Sequence, residues 1–220
     1  MAKTDWFRRT TWTPDDRADF EARLAKSRTP FHKSQRLRIQ ASHLHGVGTR
    51  ELTGAALGLL DRVVADFPEP TQLANAHLQR AECLIDLGRP EEALDAYRRA
   101  LDSQRQLPTV RNDAYLGFAE LVLALRRDAL YDEVLAVLDE FDADPVFPVQ
   151  RYRMAASRSR LADARGDRRA AGEWARRALA AVARSESPFR HHEKLGLVDT
   201  VEPDVFARLT ELAASTSSDA

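Results

Sequence analysis

"GRPEEALDAYRRAL", residues 88–101, decides how the chain is read. Gly88 tolerates the left-handed backbone that ends a helix, and Pro90 suits the first turn of the next one. Glu91 and Glu92 then meet the positive end of that helix dipole. Ala93, Leu94, Ala96, Tyr97, Ala100 and Leu101 recur at helical spacing. The preceding "TQLANAHLQRAECLIDL" carries Leu73, Ala76, Leu78, Ala81, Leu84, Ile85 and Leu87 at the same period. The two segments predict a helical hairpin that turns at Gly88.

The hairpin recurs. Prolines at 68, 108, 148 and 188 mark three intervals of forty residues, beside Phe67, Leu107, Phe147 and Phe189. Such a period points to stacked repeats. "RNDAYLGFAELVLALRR" with "LYDEVLAVLDEF" predicts a further hairpin, and "RYRMAASRSRLADARG" with "DRRAAGEWARRALAAV" another. Upstream, "SQRLRIQASHLH" and "ELTGAALGLLDRVVADF" predict a copy with Gly46 and Gly48 in its connection. One hairpin has too little core to stand alone, whereas stacked neighbours close a continuous one. The expected fold is all-α: about four stacked helical hairpins with capping helices at both ends.

In order, Gly88, Ala93, Tyr97 and Ala100 resemble the turn and second helix of a tetratricopeptide repeat. The matching positions are Ala56, Leu60 and Val63 in the first copy, Val134, Leu138 and Phe141 in the third, and Ala171, Ala175 and Ala178 in the fourth. Ala81 and Ser159 fit the family's small residue in the first helix, Leu44 and Val122 less well. The unit is longer than the family's, the usual tryptophan is missing, and Arg80 and Arg158 stand where leucine is expected. "DWFRRTTW", "RLRIQASHL" and "FRHHEKLGLV" look like segments of small stand-alone bacterial members. The resemblance covers roughly residues 33–184 and implies a right-handed α-solenoid.

The ends read as caps. Thr13, Pro14 and Asp16 open a helix with a capping box, preceded by Trp6, Phe7 and Trp12, which are expected to shield the edge of the array. The expected division is an aromatic segment and capping helix at 1–30, the repeat array at 31–185, and a C-terminal loop and capping helix at 186–214. The 189–196 loop is expected to dock on the last hairpin. The second cap starts near Pro203 and carries Val205, Leu209 and Leu212 on its apolar stripe; 215–220 forms a disordered tail.

Composition narrows the function. The 220 residues are 44% hydrophobic and carry a net charge of −1, which disfavours bulk attraction to polyanions. Only four of the 33 basic residues are lysine, a bias that suggests a high-GC bacterial source. The single cysteine, Cys83, fits a reducing compartment. "MAKTDWFRRTTW" lacks the apolar core of a signal peptide, and the apolar run 114–125 is too short to span a bilayer. A soluble, cytoplasmic protein without membrane contact is expected.

No reaction chemistry emerges. His43 and His45 do not share a helical face, and His191, His192 and Glu193 lack a second ligand pair at metal-site spacing. No GxSxG, Walker A, GxGxxG or HExxH pattern occurs. Neither catalysis, a metal nor a cofactor is expected. A nucleic-acid-linked regulator needs a recognition module, for which the residues before the array are too few.

What remains is binding of another protein or peptide. In the resembling family the first helices line the concave groove, at positions corresponding to Asn75, Leu78, Glu82, Leu123, Arg126, Arg127, Arg153, Ala156 and Arg160. Arginine's planar fork suits carboxylates, so the C-terminal half of this groove is expected to favour an acidic segment. Glu82 and Asp163 are candidates to neutralise those arginines internally. The family's carboxylate-clamp pattern is absent, because Leu78 and Glu82 stand where lysine and asparagine would be. A toxin-neutralising or regulatory partner protein is the alternative within the same class.

Overall fold

The computed structural model describes residues 5–141, 147–189 and 191–215. Among them are ten α-helices and no strand. The helices are α1 Pro14–Ala25, α2 Pro30–His45, α3 Arg50–Asp66, α4 Pro70–Asp86, α5 Pro90–Gln106, α6 Ala114–Ala124, α7 Tyr131–Glu140, α8 Pro148–Ala164, α9 Arg168–Val182 and α10 Pro203–Ser215. They group into two compact units, divided between Ala114 and Tyr115. The tail expected to be disordered lies outside the described residues from position 216 onward.

In the first unit α2 packs on α3 and α4 on α5, while α4 also lies against both α3 and α2. The matched repeat positions explain the packing. Ala56, Leu60 and Val63 on α3 and Ala93 and Ala100 on α5 are wholly buried, with Tyr97 4% exposed. Alanines at these crossings let the helix backbones approach, and leucines fill the space between them. The N-terminal aromatics close the unit: Trp6 and Trp12 pack on the buried Phe20 ring of α1 at 5.4 and 5.3 Å. The expected capping box is formed, with Thr13 accepting from the Asp16 amide and Asp16 accepting from the Thr13 amide.

In the second unit α8 packs on α9, α10 on α9 and α7 on α8. Ala171, Ala175 and Ala178 are again wholly buried, as are Val134 and Leu138. Ser159 is buried and donates to the Ala171 carbonyl at 2.8 Å, joining α8 to α9 at their closest approach. Leu209 and Leu212 of α10 cover the alanine face of α9. Tyr115 of α6 stacks on Phe141 at the end of α7, with ring centroids 5.9 Å apart.

The loop after α9 docks on the start of α8. Val149 donates to the Gly196 carbonyl at 2.9 Å, and Phe189 packs on Phe147. Gly196 has φ +75°, and a Cβ there would fall 1.9 Å from the Phe147 ring.

Two expectations need correcting. The helix expected to run from Arg111 to Arg127 covers only Ala114–Ala124. Its C-terminal turn is closed by Arg126 in the left-handed region, at φ 52°, with the Arg127 amide donating to the Val122 carbonyl. The forty-residue proline period also has no common structural role: Pro148 opens α8, whereas Pro68, Pro108 and Pro188 lie in connections. The feature that repeats is the left-handed residue after each first helix, at Gly48, Gly88, Arg126 and Gly166.

Candidate functional site

The groove residues expected from the sequence are divided between the units. Asn75, Leu78 and Glu82 belong to α4 in the first, and the rest to the second. Each face is built by its own unit.

On the first, α2 and α4 lie side by side, and their facing stripes are polar. Residues 34, 38, 41 and 45 share one side of α2, while 72, 75, 79, 82 and 86 share one side of α4. Arg38 donates through Nε to Gln72 Oε1 at 2.9 Å. His45 Nε2 meets the Asp86 carboxylate at 2.7 Å. Asn75 accepts from Asn112 Nδ2 at 3.2 Å, and Asn112 exchanges two further bonds with the buried Gln104. Asn75 therefore anchors the loop after α5 as well as standing on the α4 surface. Leu78 and Glu82 are partly exposed.

His77 and Cys83 point elsewhere. His77 is buried, and its pKa is lowered to about 4, first by desolvation and then by the charges of Arg80 and Arg99. Cys83 is wholly buried, and burial together with Glu82, Asp86 and Asp61 pushes its thiol up to about 12. A thiol so held is no nucleophile.

In the second unit the expected arginines separate. Arg153 is spent on Glu120, which accepts from its Nε and Nη2 at 2.7 and 2.6 Å. This bidentate pair neutralises the residue expected to take a ligand carboxylate. Leu123 and Ala156, 6% and 7% exposed, are packed in the interior and are not available to a partner. Ala156 belongs to the core formed by α8, α9 and α10. Arg127 is exposed in the turn after α6.

Arg126 and Arg160 come together instead around Tyr131. Both arginines oppose the upward pull on the Tyr131 phenol that burial and a hydrogen bond to Asp128 exert. Arg160 likewise acts on Tyr152, whose pKa is raised by burial and then by Glu120, with Glu202 adding to it. Neither Arg126 nor Arg160 has an ion-pair partner among the described residues. The result is two cations beside two tyrosines, suited to holding an anionic group against an aromatic surface.

The tyrosines were missed in the sequence because Tyr131 reads as the first residue of a packing helix. Arg126 reaches Tyr131 only because the chain turns left-handed there, which no glycine announced. Asp163, expected to quench Arg160, is held by Arg208 of α10 at 2.8 and 3.0 Å. Among the described residues no group of three or more His, Cys, Asp or Glu is placed to hold a metal ion, and no helix is long and apolar enough to cross a membrane. No protein-family model, no curated protein and no solved structure matches the chain.

Proposed function

We propose that this chain is a tetratricopeptide-like repeat protein whose work is to bind another protein or peptide, on the face made by the first helices of its hairpins. A right-handed succession of hairpins, as in that family, belongs to the same proposal. Support comes from the pairing of adjacent helices and from the burial of the matched small residues in every copy. Repeats of this kind offer extended surfaces with little chemistry of their own.

The observation that carries the proposal is the state of Arg160. It is half-buried, lies within electrostatic reach of Tyr131 and Tyr152, and has no carboxylate of its own. An acidic segment of the partner supplies that carboxylate, and the tyrosine rings supply apolar contact. Arg153 does not take part directly, since Glu120 occupies it.

Affinity capture from the native cell, followed by mass spectrometry, identifies the partner. Wild type is compared with the double variant Arg126→Gln/Arg160→Gln, whose helices should remain intact. Loss of a specific protein from the variant sample is the expected result. Equal recovery of every captured protein by both would remove this face from the binding surface.

A further inference from the structure

The second independent charge anomaly lies in the first unit, at Arg38. Helix α2 carries Lys33, Arg36 and Arg38 and not one Asp or Glu. The facing half of α4, residues 70–79, has no charged residue at all. In a chain with a net charge of −1 this is a local excess of positive charge. The cations find only neutral partners: Lys33 lies over the Phe67 ring, Arg36 bonds Ser27 and lies over Trp6, and Arg38 bonds Gln72.

Arg38 is the one aimed along the α2–α4 seam. It is partly buried, and burial alone lowers its pKa, with no acid nearby to offset that cost. Removing a guanidinium from water without a counter-charge is unfavourable, so an arriving anion meets a cation that is already poorly hydrated. Gln72 holds Nε and thereby fixes the plane of the fork, leaving both terminal nitrogens without a protein acceptor. The same two stripes carry other unmet polar atoms. The Ser34 hydroxyl, one turn before Arg38, and the Gln79 carbonyl, two turns after Gln72, are buried without partners.

We infer that the α2–α4 seam of the first unit is a carboxylate-binding site, with Arg38 as its cation and Gln72 as the residue that positions it. The carboxylate belongs to a peptide, as an acidic side chain or as a chain terminus. Lys33 and Arg36 stand on other sides of α2 and raise the local potential. This site is separate from the Arg126–Arg160 surface and does not depend on it.

The test uses the full chain and two synthetic probes at constant ionic strength. One is an N-acetylated, C-amidated hexaglutamate; the other is an N-acetylated hexaalanine with a free C-terminus. Binding is followed by the arginine Nε–H resonance of Arg38, assigned by its loss in Arg38→Lys, and by titration calorimetry. At least one probe should move that resonance, and Arg38→Gln should weaken the same probe about tenfold or more. Arg38→Lys, which keeps the charge but not the fork, should fall between the two. A response to hexaglutamate alone makes an acidic side chain the source, and a response to hexaalanine alone makes it a chain terminus. The inference is overturned if neither probe moves the resonance, or if Arg38→Gln binds as wild type does. Arg126→Gln/Arg160→Gln, run in parallel, should leave the Arg38 response unchanged, so failure here and failure of the partner-binding face are told apart. Matching thermal denaturation of Arg38→Gln and wild type verifies that the variant is folded.

Discussion

Arg158 on α8 meets Asp139 on α7 at 2.7 Å, and the same separation of nineteen residues joins Arg80 on α4 to Asp61 on α3 at 2.8 Å. In each unit an arginine of a first helix thus reaches back to the second helix of the preceding hairpin. These are the two arginines that stand where the tetratricopeptide pattern has leucine. They exchange apolar filling for an ion pair, and Arg158 also lies 5.1 Å from the Trp174 ring centroid.

The pairs differ in depth, and so should their energies. The Arg158 side chain is 10% exposed against 24% for Arg80, while both aspartates are largely in water. Arg158→Ala removes packing on Trp174 as well as the charge, and is expected to cost about 2 kcal/mol. Arg80→Ala should cost about 1 kcal/mol or less, as half-exposed pairs do. Urea denaturation of both variants measures the difference, and equal losses would show that burial does not set it.

Arg126 occupies the left-handed position that Gly48, Gly88 and Gly166 hold in the other turns. A side chain there is strained by the contact of Cβ with the backbone. Arg126→Gly should therefore stabilise the chain by ~0.5–1 kcal/mol, the relief being partly offset by the greater freedom of glycine when unfolded. The same change should weaken capture of the partner, if only in part, because Arg126 stands beside Tyr131. A melting temperature below that of the wild type would contradict the first half of this prediction.

His77 links stability to pH. Native His77 titrates near 4, and the unfolded side chain near 6.5. As pH falls below 6.5 the unfolded state takes up a proton that the native state refuses, so stability declines, and the decline ends once the pH is below about 4. The full effect is of order 3 kcal/mol. Its Nδ1 has no partner among the described residues, so His77→Leu sacrifices little at neutral pH. Denaturation curves at pH 7 and pH 4.5 should differ less in that variant than in wild type.

Gly196 joins the 189–196 loop to α8. Gly196→Ala places a methyl group inside the Phe147 ring and forces a left-handed alanine. The loop should lift from Phe147 while the α8–α9 core stays folded. Hydrogen exchange at Val149, whose amide is held by the Gly196 carbonyl, should accelerate about tenfold or more, reflecting ~1–2 kcal/mol lost locally.

Much of the helical plan was legible because the apolar period and the turn residues agree. Pro90 with Gly88, and Thr13 with Asp16, mark ends that lie within a residue or two of those observed. The α6 turn was not legible, since Arg126 adopts by force the backbone that glycine adopts freely. The start of α2 was read too late: Thr29 and Pro30 cap it, but the polar "FHKS" after them hides the period. At the candidate site, charge type could be read and charge pairing could not. Arg153 and Glu120 are 33 residues apart, and nothing local signals that they meet. The lack of any acid in α2, by contrast, is plain in the sequence, and it gains meaning only when the uncharged half of α4 lies against it.

The burial of Cys83 makes the molecule its own reporter. With the sulfur inaccessible and held as a thiol, alkylating reagents can label it only when α4 parts from its neighbours. The pace of labelling in native buffer therefore clocks the opening of the N-terminal half, with no tag added and no signal from the other half, which has no cysteine to contribute.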